Sequence, residues 1–315
     1  MSALRDAVDE YVTVRRRLGT ELRLPAVALR HFADFLDHEG AEFVTTQLAL
    51  RWAQEPSRCL PATWADRLGV VRRFAAWRSA TDPRTEVPPR RLLPHGRRRR
   101  APYIYSDEEI QQLMAEAARL PSPTGLRALT YTTLFGLLAA TGLRPGEGLY
   151  LDIADVDLLG GVLAVRKTKF GKSRFVPVHE STRIAVAHYA ERRDRLCPHR
   201  SGNAFFVSER GTRLCHEIAA YTFAKVSRAI GLRARVEGRR KGRGPRLHDF
   251  RHRFATRTLI NWYRTGLDVE REIPKLATYL GHVHARHTYW YIEAVPELLQ
   301  LATDRLEGHR QEVRP

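Results

Sequence analysis

Cysteine is scarce in this chain of 315 residues, which contains three: Cys59, Cys197 and Cys215. Because they are odd in number and far apart, the sequence predicts no disulfide framework and favours a reducing compartment, the cytoplasm. Two of them lie near histidines, Cys197 with His199 and Cys215 with His216, but neither pair has the usual spacing of zinc ligands. We therefore expect no structural metal.

Long apolar segments are also absent. The longest, residues 131–141 (YTTLFGLLAAT), is too short to span a bilayer and predicts a buried helix instead. The N-terminal segment MSALRDAVDEYV contains no apolar signal sequence. The sequence has no P-loop and no acidic cluster of the D-x-D or D-D-E type. We expect no membrane association and no requirement for a cofactor, a metal or ATP.

Acidic residues are too few to balance the basic ones. The chain has 53 lysines and arginines against 35 aspartates and glutamates, a net charge of +18. Such an excess destabilises a compact fold by self-repulsion unless a polyanion screens it. A cationic face gains affinity for nucleic acid by releasing counterions from the phosphates. Double-stranded DNA is therefore the expected partner, while a solubility device or a membrane-surface patch is the alternative reading of the charge.

A stretch of prolines and arginines, residues 82–102 (DPRTEVPPRRLLPHGRRRRAP), interrupts the helical pattern of the N-terminal part. Prolines stop regular structure, so this composition is typical of an interdomain linker. We predict a helical domain over residues 1–88, a basic linker over 89–102, and a second domain with a C-terminal tail over 103–315.

Clusters of basic residues indicate where DNA would be contacted. A helix predicted over residues 64–77 has an apolar stripe and an arginine face, including Arg67 and Arg72, that could lie along a DNA backbone or be solvated. The glycine-rich segment 233–246 (RARVEGRRKGRGPR) is predicted to be a loop, either ordered by DNA or exposed. We predict DNA contacts at the following positions: Arg97, Arg98, Arg99, Arg100, Lys172, Arg240 and Lys241.

The second domain combines helices with a hairpin. Ser106 and Glu109 have the spacing of a helix capping box. Residues 162–178 switch to β-rich runs on either side of a Phe-Gly-Lys turn, which is a hairpin signal. The fold class is therefore mainly α with a small β-sheet (α+β). Further helices are predicted over residues 181–195, 216–230, 248–263, 270–281 and 292–307.

The first candidate site motif precedes this hairpin, and the second is the hairpin turn itself. In TGLRPGE, Arg144 follows a buried helix and a glycine, a position from which a fixed guanidinium could point into a cleft. Glu147 could hold that arginine in place or cap the next helix. Around the hairpin turn, Lys167, Lys169 and Lys172 could reach a groove and donate a proton, or could form an ordinary soluble turn.

Two further motifs follow in the helical C-terminal part. In LHDFRHRFA, His248 and Arg251 are three residues apart and share a helix face, while His252 is expected at the surface. The pair combines a fixed positive charge with a group that is tunable near neutral pH. In LGHVHARHTYWYI, His282 follows a glycine and Tyr291 comes nine residues later.

In this order, the four motifs resemble those of the tyrosine recombinase (phage integrase) family, and look closer to its mobile-element integrases. The resemblance covers residues ~103–305, and the N-terminal domain is more loosely similar to the family's SAM-like core-binding domain. It implies that Arg144 and Arg251 bind the non-bridging oxygens of the scissile phosphate. It also implies that His248 and His282 hydrogen-bond to that phosphate and assist proton transfer.

The same resemblance implies that Tyr291 becomes a 3′-phosphotyrosine, preferred over Tyr289 because of its distance from the LGH histidine. The family pattern K-x-G-x(3)-hydrophobic-Pro makes Lys169 the acid that protonates the leaving 5′-oxygen, with Lys167 and Lys172 as rivals. The covalent bond stores the energy of the broken phosphodiester, so the strand can be rejoined without ATP or metal.

We therefore expect a site-specific recombinase or integrase of a mobile genetic element, acting in the bacterial cytoplasm. It would be a monomer in solution and a homotetramer on paired DNA sites, with accessory recombinases or excision factors as further partners. The alternatives are a type IB topoisomerase using the same residues and a DNA-binding module without catalysis. The tail, residues 296–315, is expected to pack either on a neighbouring protomer or on its own domain.

Overall fold

The computed structural model describes residues 3–57, 59–94, 101–166, 173–234 and 244–312. The chain divides into two compact units, residues 1–100 and 101–315. The described residues are mainly helical with one small sheet, which confirms the predicted fold class. In this described part, no helix has both the length and the apolar character needed to cross a membrane.

Unit 1 is built from helices that surround an aromatic core. Its described helices are α1 (Ala3–Arg17), α2 (Arg23–His38), α3 (Thr46–Gln54) and α4 (Pro61–Arg78). Phe32 of α2 and Trp52 of α3 are fully buried, with ring centroids 5.1 Å apart. Phe74 of α4 packs edge-on against Tyr11 of α1 at 5.7 Å. Each helix therefore contributes an aromatic side chain to one core.

Two arginines of α4 fasten that helix to its own unit. Arg67 donates to the Trp52 carbonyl at 2.8 Å, and its guanidinium lies 3.8 Å from the centre of the Trp52 ring. Arg72 donates to the carbonyls of Pro88 and Pro89, each at 2.7 Å. These donors of Arg67 and Arg72 therefore bind carbonyls within unit 1, which neither interpretation of the arginine face predicted.

Unit 2 contains the sheet and the remaining described helices. After a 3-10 turn at Ile153–Asp155, the strands are β1 (Val156–Asp157), β2 (Val162–Val165) and β3 (Arg174–Pro177). They form an antiparallel sheet of order β1-β2-β3, and the register of β2 and β3 runs from Val162 opposite Pro177 to Val165 opposite Arg174. The helices are α5 (Asp107–Ala118), α6 (Leu126–Thr141), α7 (Pro145–Leu149), α8 (Glu180–Leu196), α9 (His216–Ala229), α10 (Asp249–Arg264), α11 (Val269–Leu280), α12 (Arg286–Ala294) and α13 (Pro296–Glu312).

Local sequence signals account for the first helices of unit 2. The capping box before α5 is present, with the Glu109 amide donating to the Ser106 hydroxyl at 3.1 Å and the Ser106 amide donating to the Glu109 carboxylate at 2.9 Å. The apolar run of residues 131–141 lies in α6, which is a central buried helix as predicted. Helix α5 therefore begins where its capping box satisfies the first amides, and α6 forms where its apolar run is buried.

An aromatic cluster fixes α10 against the centre of unit 2. Phe250 is fully buried and stacks on Tyr105 at 5.0 Å. Phe135 of α6 and Phe223 of α9 complete the cluster, at 6.1 and 5.7 Å from the Phe250 ring. Because Phe250 anchors the first turn of α10, the polar side chains beside it in sequence have a defined position.

A second apolar cluster joins α10, α11, α12 and α13. Leu259, Leu280, Tyr291 and Leu298 are all buried in it. Leu298 of α13 is fully buried, so the described part of the tail packs on its own chain. The single helix predicted over residues 292–307 is interrupted at Val295, which separates α12 from α13.

Candidate active site

Arg144 follows a turn that suits glycine. Helix α6 ends at Thr141 and is capped by Gly142, which has φ 61° in the left-handed region. A Cβ at this position would lie 2.6 Å from Cδ1 of Phe254. The Arg144 guanidinium donates to the Glu147 carboxylate at 2.7 Å and to the Gly281 carbonyl at 3.1 Å. The arginine is thus held against a turn that lies 137 residues further along the chain.

Arg251 is buried and is held by the same two turns. It lies on α10 with 1% of its surface exposed. Its guanidinium donates to the Gly142 carbonyl at 3.0 Å and to the Leu280 carbonyl at 2.6 Å. Burial, and then the charge of Arg144, lowers the pKa of Arg251 to about 10, so it remains a cation at neutral pH. The structure therefore places two guanidiniums together.

Tyr291 lies on α12 and is only 3% exposed. Its ring is nearly parallel to that of His282, with centroids 6.3 Å apart, and it meets the ring of His252 at 5.6 Å. Nδ1 of His282 lies 2.8 Å from the Thr288 hydroxyl, a hydrogen bond that orients the imidazole. Tyr289, the rival nucleophile, is 42% exposed. Helix α12 thus buries one tyrosine beside a fixed histidine.

His248 immediately precedes α10 and lines a cleft of about 790 Å³ together with Arg144 and Glu147. Its ring lies 5.0 Å from that of His252, which in turn contacts Tyr291. The structure therefore brings together five predicted site residues from three separate stretches of sequence: Arg144, His248, Arg251, His282 and Tyr291.

The surroundings of both site histidines favour the neutral imidazole. Burial, and then the neighbouring His252 and Arg251, lowers the pKa of His248 to about 4. Burial, and then Arg251 and Arg144, lowers the pKa of His282 to about 3. A neutral imidazole has a lone pair that can accept a proton. The site is therefore cationic through its arginines and carries proton acceptors at neutral pH.

Several predicted residues lie outside the part of the chain that the structure describes. They include the hairpin lysines and the basic residues predicted to contact DNA: Lys167, Lys169, Lys172, Arg97, Arg98, Arg99, Arg100, Arg240 and Lys241. Their roles stay predictions from the sequence.

Sequence reasoning missed three residues at this site. His252 was expected at the surface, but its side chain is 12% exposed because α12 covers that face of α10. Its position four residues after His248, on the same helix face, is a signal that could have found it. Thr288, which orients His282, and Arg174, which pairs with Glu147, had no local signal. Glu147 itself performs both roles proposed for it, since it also accepts from the Arg144 amide at 3.0 Å.

Metal ligands do not cluster in the part of the chain that is described. No three histidine, cysteine, aspartate or glutamate side chains are grouped there in a way that could hold a metal ion. The three cysteines are all free.

The fold is mainly helical, and its site combines the buried Tyr291 with histidines and with the two fixed arginines Arg144 and Arg251. This fold and this site define a tyrosine recombinase, and comparison with known proteins agrees with that class. Residues 104–297 match the phage integrase family. A protein of Sinorhizobium fredii (strain NBRC 101917 / NGR234) that bears the name integrase/recombinase y4rB is 48% identical over 311 residues, which cover 98% of both chains. The chain belongs to the phage integrase family of tyrosine recombinases, which confirms the family predicted from the ordered motifs.

Solved structures of similar fold include two integrases. The Tn1549 transposon integrase in complex with transposon right end DNA has a TM-score of 0.68 and 16% identity, and the match covers 98% of this chain and 100% of that one. A lambda integrase tetramer bound to a Holliday junction has a TM-score of 0.56 and 16% identity, with 90% and 78% covered. At such identity, these likenesses establish the fold.

Proposed function

We propose that this chain cuts and rejoins DNA strands at specific sites through a 3′-phosphotyrosine intermediate on Tyr291, in the service of a mobile genetic element. One observation carries the proposal: the buried Tyr291 lies against His282, and the turn before His282 also holds Arg144 and Arg251 through the Gly281 and Leu280 carbonyls. The name of the 48% identical relative, integrase/recombinase, supports the integration or recombination of DNA as the activity.

The arginines would bind the scissile phosphate. A phosphodiester resists attack because its negative oxygens repel nucleophiles, and more charge gathers on them in the transition state. Guanidiniums fixed in advance supply donors where that charge develops. Arg144 and Arg251 are each held by hydrogen bonds to backbone carbonyls or to Glu147, so little reorganisation would be needed when DNA binds.

The covalent step is a balanced exchange of phosphoryl bonds. The Tyr291 oxygen would form a bond to phosphorus while the bond from phosphorus to the 5′-oxygen breaks. A phenol has a pKa near 10 and is a weak nucleophile at neutral pH, so its proton must pass to an acceptor, for which neutral His248 or His282 is available. Lys169 would protonate the leaving 5′-oxygen. A 5′-hydroxyl from another strand could then reverse the step.

Unit 1 would contribute DNA contacts as a core-binding domain over residues 1–88, followed by the basic linker over 89–102. A cleft of about 530 Å³ in this unit is lined by Arg72, Arg73, Arg90 and Arg91. Burial, and then the charges of Arg90 and Arg73, lowers the pKa of Arg72. Crowded like charges of this kind favour an anionic ligand, and a DNA phosphate is the proposed one.

The proposed assembly is a homotetramer on paired double-stranded DNA sites, formed from monomers in the cytoplasm. The tetramer of lambda integrase bound to a Holliday junction is the precedent for such an assembly in a protein of this fold. Relaxation of supercoils by a monomer, as in type IB topoisomerases, is the alternative that uses the same five residues. A DNA-binding module without catalysis is less favoured, because the described site contains all five predicted residues: Arg144, His248, Arg251, His282 and Tyr291.

Covalent capture tests the proposal. Nicked duplexes with a random central sequence would be incubated with the wild type, with Tyr291→Phe and with Tyr289→Phe, and protein–DNA adducts would be isolated after denaturation. We expect adducts with the wild type and Tyr289→Phe, and none with Tyr291→Phe. Peptide mapping should locate the DNA on Tyr291 through a 3′-phosphate. Absence of an adduct from the wild type would contradict the proposal, and an adduct on Tyr289 would correct the nucleophile.

The captured sequence then separates the alternatives. It would be placed once or twice in a supercoiled plasmid and incubated with the wild-type protein. A recombinase should exchange strands only between two copies of the site. Relaxation of the one-site plasmid, without recombinant product from the two-site plasmid, would favour the topoisomerase.

A further inference from the structure

Arg174, at the start of β3, is a largely buried arginine whose donors are directed at Glu147 and at the end of α11. Its side chain is 11% exposed. Two guanidinium nitrogens donate to the two oxygens of the Glu147 carboxylate, at 3.1 and 2.7 Å. The third, Nε, donates to the Tyr279 carbonyl at 2.7 Å. Such a bidentate pair fixes both partners in one geometry.

Glu147 is shared between two arginines. Besides Arg174, it accepts from the Arg144 guanidinium at 2.7 Å and from the Arg144 amide at 3.0 Å. Its side chain is 7% exposed. Burial alone would raise the pKa of Glu147, but the hydrogen bonds and charge of Arg174, followed by those of Arg144, lower it. One buried carboxylate therefore faces two buried or half-buried cations.

The charge balance of this trio depends on Arg174. With Arg174 present, the three side chains carry one net positive charge, and it can act on a phosphate held by Arg144. Without Arg174, the carboxylate of Glu147 would cancel the charge of Arg144. In a partly buried site, this cancellation of the Arg144 charge would weaken phosphate binding more than it would at the surface, because a low dielectric strengthens charge interactions.

Arg174 also lies against the turn that leads to His282. A Cβ on Gly281 would come within 2.7 Å of a guanidinium nitrogen of Arg174, and Gly281 has φ 69°. The Tyr279 carbonyl, to which Arg174 donates, is at the end of α11, just before that turn. The same guanidinium thus touches the segments that carry Arg144 and His282.

We propose that Arg174 is a positioning residue of the phosphate site. It neutralises Glu147, so that this carboxylate does not cancel the charge that Arg144 presents to the scissile phosphate, and it fixes the turn before His282. This proposal rests on the function proposed above and adds to it a residue that does not touch DNA itself.

A charge-rescue experiment tests it. The rate of adduct formation on the captured duplex would be measured under single-turnover conditions for Arg174→Ala, Arg174→Lys, Glu147→Gln and the double variant Arg174→Ala/Glu147→Gln. Loss of Arg174 should slow the reaction on the order of 10- to 100-fold, because Glu147 would then cancel the charge of Arg144 and the turn before His282 would lose its support. Because the neutral amide that replaces the carboxylate in the double variant cannot cancel the charge of Arg144, that variant should regain about 10-fold. Arg174→Lys should lie nearer to the wild type than Arg174→Ala does.

A matched pair elsewhere in unit 2 provides the control. Arg183 makes a bidentate pair with Glu180 at 2.7 and 2.5 Å and donates to the Leu158 carbonyl at 2.9 Å, on an exposed face. Arg183→Ala, alone and with Glu180→Gln, should leave the rate unchanged. If Arg174→Ala keeps the wild-type rate, or if the double variant is no faster than Arg174→Ala, the proposal is wrong.

A second measurement separates this proposal from the proposed function. Inorganic phosphate would be titrated into histidine-labelled protein while the ring signals of His248 and His282 are followed by NMR. Arg174→Ala should weaken phosphate binding at these signals about 10-fold, and the double variant should restore it. If the wild type forms no adduct, the recombinase proposal fails, and this titration alone decides the role of Arg174. Equal phosphate affinity in the wild type and Arg174→Ala would then refute the positioning role of Arg174.

Discussion

At the scale of single residues, DNA binding should change the basicity of the two site histidines, His248 and His282. In the free protein their pKa values are lowered to about 4 for His248 and about 3 for His282, by burial first and then by nearby cationic groups. An incoming phosphate would bring negative charge and oppose that effect. The free site therefore disfavours protonation of both imidazoles, and a bound phosphate would make them better acceptors for the proton of the phenol.

The lowered pKa of His248 predicts a loss of stability in acid. An unfolded histidine has a pKa near 6.5, so between about pH 6.5 and 4 the unfolded chain binds a proton that the folded chain does not. The free energy of unfolding should therefore fall as the pH decreases through this window, by at most about 1.4 kcal/mol per pH unit for this group. His248→Gln should remove that contribution and flatten the curve, as measured by urea unfolding at each pH.

The exposed His199 offers a control for this measurement. His199→Gln should leave the pH dependence of unfolding as it is in the wild type. A curve for His248→Gln that is parallel to the wild type between pH 6.5 and 4 would show that the buried imidazole does not resist protonation.

At the scale of elements, the turn after α6 determines where both arginines lie. Gly142 adopts φ 61°, its carbonyl accepts from Arg251, and a Cβ there would lie 2.6 Å from Cδ1 and 3.0 Å from Cβ of Phe254. Because Phe254 stacks on Tyr279 at 5.5 Å, its ring has little room to move aside. This turn therefore depends on glycine for both its backbone conformation and its packing.

Gly142→Ala should accordingly destabilise the protein by more than the backbone strain alone. A left-handed conformation costs an L-residue about 1–2 kcal/mol, and the contact with Phe254 would add to this. Gly266→Ala is the matched control, since Gly266 has φ 71° with no atom within 4 Å of an added Cβ. In urea unfolding, Gly142→Ala should show the larger loss. Equal losses would mean that Phe254 relaxes without cost.

Elements with strong local signals could be predicted from sequence, and those without them could not. Helix α5 has a capping box, and α6 has an apolar run that is long enough for a buried helix. Helix α12, which carries Tyr291, spans nine residues, has no side-chain cap and buries only Thr288 and Tyr291. A helix this short is formed by tertiary packing, so its limits are not written in its own sequence.

At the scale of the whole molecule, the sequence could name the chemistry of the site but only part of its support. Arg144, His248, Arg251, His282 and Tyr291 could be found because their motifs occur in a fixed order. Arg174 could not, because its partners lie 27 residues before it and 105 residues after it. Side chains that orient other side chains are selected by folded geometry, which a pattern of residue types does not contain.

The net charge of +18 gives the last prediction, at the scale of the molecule and its partner. If the predicted contacts Arg97, Arg98, Arg99 and Arg100 neutralise DNA phosphates, replacing all four with serine should flatten the plot of log K against log salt. The slope should fall by about 0.9 for each phosphate contact that is lost. Replacing the same four with lysine keeps the charge and should preserve the slope, so the pair of variants separates charge from the shape of the guanidinium. The affinity of each variant for a duplex of fixed sequence would be measured by fluorescence anisotropy over a series of salt concentrations. An unchanged slope in the serine variant would mean that these arginines do not contact phosphate, and that the salt dependence of binding arises from other basic residues of the chain.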